Sequence, residues 1–243
     1  MTYCVGLKLD RGLVFAADTR TNAGVDNIAT FKKLHVWEEP GERVITLMSA
    51  GNLAVTQAVI SLLTEHISSA EKDRTTLMTA KTMFQVARLV GSAVREVKAI
   101  DGEALATSAE SFFVTFILGG QIKGEEPRLF QVYAAGNFIE VGSDTPFLQI
   151  GEHKYGKPIL DRVTRADMRL GEAAKLVLLS FDSTLRSNLS VGMPIDMLLY
   201  NTDSYSTDRQ VRIEQDDPYF RKLSQGWSDK LREAFADIDE FEV

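Results

Sequence analysis

Three places near the start of the chain have residue types and spacing that could do chemistry together: Thr2, Asp18 and the pair Lys32-Lys33. A threonine behind a removable methionine can become the first residue of the mature chain. It then carries both a nucleophile, its Oγ, and a base, its own α-amine. That amine has an unperturbed pKa of about 7.7–8.0, against about 10.4 for lysine, so an appreciable fraction is neutral near neutral pH. A weak hydroxyl nucleophile needs an adjacent general base, and a threonine–amine pair supplies one. A cation near the amine would lower its pKa further, and an acid beside that cation would keep it charged and in place.

The elements around these residues can bring them together. The run Tyr3-Cys4-Val5-Gly6-Leu7-Lys8-Leu9 is strand-like, Asp10-Arg11-Gly12 is a turn, and Leu13-Val14-Phe15-Ala16-Ala17 is a second apolar run ending in Asp18. Two such runs joined by a tight turn containing glycine read as a hairpin, which returns Asp18 towards Thr2. Lys32-Lys33 opens a further β-prone run. Side chains alternate across a strand, so only one of the two lysines can face inward. Gly51 ends the run Val44–Ala50 and reads as a strand-to-helix turn. A glycine there also lets the backbone approach a substrate closely and offer an N–H to an oxyanion.

Further on, Asn52 is an N-cap candidate for a helix with Leu53, Val59, Ile60, Leu63 and Ile67 near helical spacing. A second helix is expected from about 75 to 99, with Met83, Val86, Ala87, Val90, Val94 and Val97 forming one apolar stripe. Strands are expected at 111–118, 128–134, 137–142 and 146–150, with turns at Gly119-Gly120 and Gly136-Asn137. Helices follow at about 155–164 and 171–187, strands at 194–201 and 209–214, and a last helix at about 217–236. Hairpin connections imply antiparallel sheets, and consecutive amphipathic helices need an apolar surface to cover. The pattern is that of an α+β fold, two sheets face to face with helices outside.

Composition narrows the function classes. The chain has 243 residues, 44% hydrophobic and 25% charged, proportions of an ordinary globular protein with a normal core. A net charge of −7 argues against general affinity for nucleic acid or an anionic membrane, which needs a basic face. No run approaches the roughly 18 apolar residues of a membrane span, and no charged-then-apolar leader opens the chain. The single cysteine, Cys4, rules out an internal disulfide, fits a reducing cytoplasm and reads as a small buried side chain. His35, His66 and His153 are far apart, no metal-ligand spacing occurs, and no Walker, GxGxxG or nucleophile-elbow motif is present. The segment 216–243 holds eight acids against four bases, a solvated helix face and tail or, as the sharper alternative, a subunit contact.

The start of the chain resembles the catalytic subunits of the proteasome and of HslV, which are N-terminal threonine hydrolases. The likeness runs from Thr2 through Gly-Leu-Val-Phe-Ala-Ala-Asp-Thr-Arg (12–20), Gly24, Lys32-Lys33-Leu34 and Ser49-Ala50-Gly51-Asn52. Within that superfamily the wording Met-Thr-Tyr-Cys-Val-Gly, with Thr-Arg-Thr-Asn-Ala-Gly-Val-Asp-Asn-Ile (19–28), is most similar to the Anbu group, the bacterial proteasome-related "ancestral beta subunit".

The resemblance implies a four-layer αββα sandwich over one proteasome-type domain, residues 1–243. It implies Thr2 as nucleophile, Lys33, directly before apolar Leu34, as the lysine of the site, Asp18 as the acid orienting it, and Gly51 as an oxyanion donor. It also exposes departures. Where proteasome subunits carry Gly-Ser-Gly, this chain has Gly151-Glu152-His153, so Glu152 stands in the place of the serine beside the nucleophile. The Arg-Asp-x-x-Ser element reads Arg186-Ser187-Asn188-Leu189-Ser190: Ser190 matches, and Ser187 replaces the aspartate. Asp182 is about one helical turn away. The implied reaction is amide hydrolysis through an acyl-enzyme at Thr2, needing no metal or organic cofactor, within a homo-oligomeric ring or open helical ring. A different class stays open: a catalytically silent assembly subunit.

Overall fold

A computed structural model of the chain describes residues 1–22, 28–69, 74–108, 110–207 and 209–242. Gly24, part of the resemblance above, lies outside the described residues. The first two strands, β1 (Tyr3–Leu9) and β2 (Gly12–Asp18), form the expected hairpin, in register from Leu9↔Gly12 to Cys4↔Ala17. A two-stranded β-ribbon follows without having been anticipated: β3 (Arg20–Asn22) pairs with β4 (Ile28–Thr30). Next come β5 (Leu34–Glu39), β6 (Arg43–Gly51), α1 (Leu53–Ser68) and α2 (Met83–Thr107). Then follow β7 (Val114–Ile122), β8 (Arg128–Val132), β9 (Phe138–Glu140) and β10 (Phe147–Gly151). The chain closes with α3 (Lys157–Val163), α4 (Leu170–Ser187), β11 (Ile195–Asn201), β12 (Gln210–Ile213) and α5 (Pro218–Ala236).

Two five-stranded antiparallel sheets result, in the orders β10-β1-β2-β11-β12 and β5-β6-β7-β8-β9. Strand alternation sorts their side chains into three apolar layers. Along β1 and β2, Tyr3, Val5, Leu7, Val14 and Ala16 face α3, α4 and α5, whereas Cys4, Leu13, Phe15 and Ala17 face the other sheet. Along β6, Ile45 and Leu47 pack under α1 and α2, whereas Val44, Met48 and Ala50 meet the first sheet. The layers are therefore helix, sheet, sheet, helix: an α+β αββα sandwich.

Local chemistry explains the element ends. Asn52 Oδ1 accepts from the N–H groups of Ala54 and Val55, capping α1 as expected. The helical stripe Met83–Val97 is buried throughout. The second helix, however, begins eight residues later than expected, at Met83, and runs on to Thr107. The residues before it prefer side-chain-to-backbone bonds: Thr79 Oγ1 accepts from Thr76 N, and Thr82 Oγ1 caps the helix by accepting from Gln85 N. Gly119-Gly120 corrects a second expectation. They are not a turn but lie inside β7, opposite Thr46 and Ile45. A Cβ at Gly119 would sit 2.7 Å from the Phe15 ring, and one at Gly120 would sit 2.0 Å from the Val44 carbonyl oxygen. Gly119 lets the two sheets close on each other and Gly120 lets β6 approach within its own sheet, and the turn falls after Ile122.

Candidate active site

The hairpin brings Asp18 back beside the first residues of the chain. Its Oδ1 accepts from the Tyr3 N–H at 2.9 Å and from Lys33 Nζ at 2.8 Å. Its Oδ2 accepts from the Gly192 N–H at 3.4 Å. Asp18 is fully buried and Lys33 is 4% exposed. Lys33 Nζ also donates to the Arg20 carbonyl at 2.6 Å. Burial pushes the Asp18 carboxyl up, against the pull of the Lys33 ammonium and of the Tyr3 and Gly192 N–H donors. A buried ion pair with every partner in place is kept only where its geometry is well supported.

Lys33 lies just ahead of β5, in irregular backbone held to β6 by the Ser49 N–H donating to its carbonyl at 3.1 Å. Lys32 is exposed. Only Lys33 turns inward, although the strand starts one residue later than the alternation argument assumed.

Thr2 is buried, and with Lys33, Ser49 and Gly51 it lines a cleft of about 880 Å³. Its carbonyl accepts from the Glu152 N–H at 2.6 Å. That contact depends on Gly151, which has φ +81° and whose added Cβ would lie 2.0 Å from the Thr2 carbonyl oxygen. Gly51, at the far end of β6, has φ +125°, and a Cβ there would lie 2.1 Å from the Phe113 carbonyl oxygen. The α-amine of the 243-residue chain is that of Met1, which also lines the cleft, and the Thr2 nitrogen is a peptide nitrogen. Burial first, and then Lys33, hold this amine below the ordinary terminal value.

The remaining expected residues divide. Glu152 is buried behind Thr2: its Oε1 accepts from Lys154 N at 3.0 Å and its Oε2 from Asn188 Nδ2 at 2.9 Å. Asn188 Oδ1 in turn accepts from the Ser190 N–H at 2.9 Å. Ser190 is thus tied to the Glu152 side of the site through Asn188, and its hydroxyl makes no hydrogen bond among the described residues. Ser187, the last residue of α4, is exposed and not brought in. Asp182 is committed elsewhere, pairing with Arg186 at 3.2 Å.

Sequence reasoning missed Asn188, Gly192 and the Arg20 carbonyl. The only signal at Asn188 was a formal Asn-Leu-Ser sequon, which points to surface chemistry and not to a half-buried amide clamp. Backbone groups such as those of Gly192 and Arg20 carry no signal in residue type. Cys4 is buried between the sheets, where desolvation pushes its thiol up, so it remains protonated. No group of three or more His, Cys, Asp or Glu able to hold a metal occurs among the described residues.

The proteasome subunit family model matches residues 2–198. The chain belongs to the proteasome family. Within it the likeness is to Anbu proteins. The solved structure of the Gly-1 mutant of Anbu from Hyphomicrobium sp. strain MC1 is 65% identical, covers 100% of both chains and superposes with a TM-score of 0.94. The helical assembly of the Anbu complex from Pseudomonas aeruginosa is 45% identical, covers 99% of this chain and 98% of that one, and has a TM-score of 0.93. Proteasome subunit beta 2 of Nitrosopumilus maritimus (strain SCM1) is 23% identical over 211 residues, 84% of this chain and 88% of that protein. A proteasome subunit fold is the N-terminal nucleophile hydrolase fold, as the family resemblance implied. Among the described residues no helix is long and apolar enough to cross a membrane.

Proposed function

We propose that the chain is a threonine-type hydrolase subunit that cleaves amide bonds, peptides foremost, through an acyl-enzyme at Thr2 within a self-assembled oligomer. The observation that carries this reading is the buried Lys33–Asp18 pair, at 2.8 Å, beside a cleft that Thr2 and Gly51 line. Removal of Met1 frees the Thr2 amine in the same cleft, under the same burial and the same cation. Thr2 Oγ then attacks the substrate carbonyl while the amine takes its proton. Lys33 stabilises the charge that develops, Asp18 holds Lys33, and the Gly51 N–H receives the oxyanion. Collapse of the tetrahedral intermediate breaks the C–N bond, and the protonated amine returns its proton to the departing nitrogen. Water then hydrolyses the Thr2 ester, releasing the acid and restoring the hydroxyl. Ser190 is assigned, on the family pattern, to the amine side of the site, with Glu152 taking the place of a serine there.

The whole chain, 1–243, acts as one proteasome-type domain, and the single buried thiol suits a reducing cytoplasm. Self-assembly is supported by the likeness to a helical Anbu assembly and by exposed apolar residues on and after α5, among them Tyr219, Phe235 and Phe241. A second reading, a silent assembly subunit, is favoured by one feature: Glu152 brings a buried carboxylate to the position of a hydroxyl.

The decisive experiment treats native, untagged protein with a β-lactone or epoxyketone and maps the adduct by mass spectrometry, with the same material sized by sedimentation. The expected result is a mature chain beginning at Thr2, labelled there in an oligomer, with Thr2→Ala folded and unlabelled. Complete retention of Met1, or equal labelling of the Thr2→Ala variant, overturns the threonine mechanism.

A further inference from the structure

The cleft lining carries a charged side chain that the reaction does not use. Among side chains lining the cleft, Lys33 and Glu110 are charged. Lys33 is 4% exposed and directs two of its three N–H donors to Asp18 and the Arg20 carbonyl, so its charge is already paired with the Asp18 carboxylate. Glu110 is exposed and makes no side-chain hydrogen bond or ion pair among the described residues. Three residues along the same wall, Phe113 is 56% exposed, an unusual state for a phenylalanine that lines a cleft.

This wall is pinned at both ends and not a loose rim. The Glu110 N–H donates to the Leu105 carbonyl at the end of α2, at 2.9 Å. The Asn52 N–H, next to Gly51, donates to the Phe113 carbonyl at 2.8 Å. The aromatic face is thereby tied to the segment that would bind the oxyanion. The rest of the lining mixes hydroxyls, as at Thr21, Ser49 and Thr56, with aliphatic groups, as at Ala50, Leu53 and Ala54, and brings no further charged side chain. A long aliphatic stem with a cationic tip suits such a wall: the stem lies along the ring and the tip reaches the carboxylate.

We propose, resting on the hydrolase reading of Thr2, that the cleft selects peptides whose side chain next to the attacked carbonyl is lysine or arginine, with Glu110 pairing the cation and Phe113 carrying the stem. The test is binding and not turnover, so that it stands apart from the nucleophile. Capped peptides identical but for lysine, norleucine or glutamate at that position are titrated against the full-length Thr2→Ala protein by fluorescence anisotropy. Lysine is expected to bind about tenfold more tightly than norleucine at low salt, with a narrower margin at high salt. Glu110→Gln should remove that margin, Glu110→Lys should turn the preference towards glutamate, and Phe113→Ala should weaken lysine and norleucine alike. Norleucine binding as tightly as lysine, or a lysine preference that survives Glu110→Gln in a protein with unchanged thermal unfolding, overturns the assignment. Covalent labelling of unaltered Thr2 reports separately on the nucleophile.

Discussion

Both ends of the sandwich bury a polar cluster between the sheets, and the two clusters are built on opposite principles. At one end, where Asp18 is opposite Ile195 and Gly51 opposite Val114, the cluster is an ion pair under an open cleft. At the other end of the same strands, Gln121 in β7 is 1% exposed and neutral. Its Oε1 accepts from Tyr200 Oη at 2.7 Å and from the Asp203 N–H at 2.8 Å, and its Nε2 donates to Asp203 Oδ1 at 2.7 Å and to the Glu125 carbonyl at 2.8 Å. Every hydrogen-bonding site of that amide is used, and burial pushes the Tyr200 phenol up to about 12. A saturated neutral amide pins one sheet to the other. A buried ion pair costs desolvation that apolar packing would avoid, and its presence at the Thr2 end is accounted for by chemistry more readily than by stability.

The comparison breaks most visibly at Asp18. Asp18→Ala leaves the Lys33 ammonium buried without its partner, a defect worth about 3–5 kcal/mol, and should also abolish labelling of Thr2. Gln121→Ala should cost about 1–3 kcal/mol by stranding the Tyr200 hydroxyl and the Asp203 N–H, with labelling unchanged. Denaturant unfolding read beside labelling checks both. Loss of labelling in the Gln121 variant at full folding would mean that the two ends are not independent.

The next effect is on rate. Lys33→Ala should slow acylation about 10²–10³-fold, the usual scale for removing one electrostatic stabiliser, whereas Lys32→Ala, at an exposed position, should be nearly neutral. Single-turnover kinetics with an ester or amide substrate separates them. If Lys32 proved the sensitive residue, the register of the segment entering β5 would be wrong.

The smallest effect is on pH dependence. The Met1 amine, which lines this cleft, is held below its ordinary value by burial and then by Lys33, and a Thr2 amine freed beside the same cation is expected to shift the same way. A base acts only when neutral, so the rate should rise with pH through an apparent pKa below about 8. Lys33→Met removes the cation but not the burial. The amine pKa then rises, and the acid limb should move to higher pH. The pH profile of Thr2 labelling in the two proteins measures the shift. An acid limb that moves down, or lies above that of an ordinary amine in the unaltered protein, would contradict the assigned electrostatics.

Much of this molecule was legible before its structure. The β1–β2 hairpin, the Asn52 cap, the stripe of α2 and the helices after residue 155 follow from local rules: alternation, 3.6-residue spacing, caps and tight turns. Each is decided by neighbours in sequence. Thr2, Asp18 and Lys33 were candidates for the same reason, because one hairpin and one apolar run place them. What local rules could not decide lies between distant segments. Gly119-Gly120 has the composition of a turn but lies in β7, where Gly119 meets the Phe15 ring across the sandwich and Gly120 the Val44 carbonyl of the neighbouring strand. Ser187 and Ser190 sit three residues apart, yet only Ser190 is tied to the site, through Asn188 and Glu152. Glu110 and Phe113 meet the same cleft as Thr2 only because β6 and β7 pair at Gly51↔Val114. The sequence by itself determined which residue types were available and which elements carry them. The tertiary structure alone decided which backbone groups, amides and carboxylates converge on them, because those contacts join separate elements, from 13 residues apart at Arg20 and Lys33 to 174 at Asp18 and Gly192, and have no local pattern to announce them.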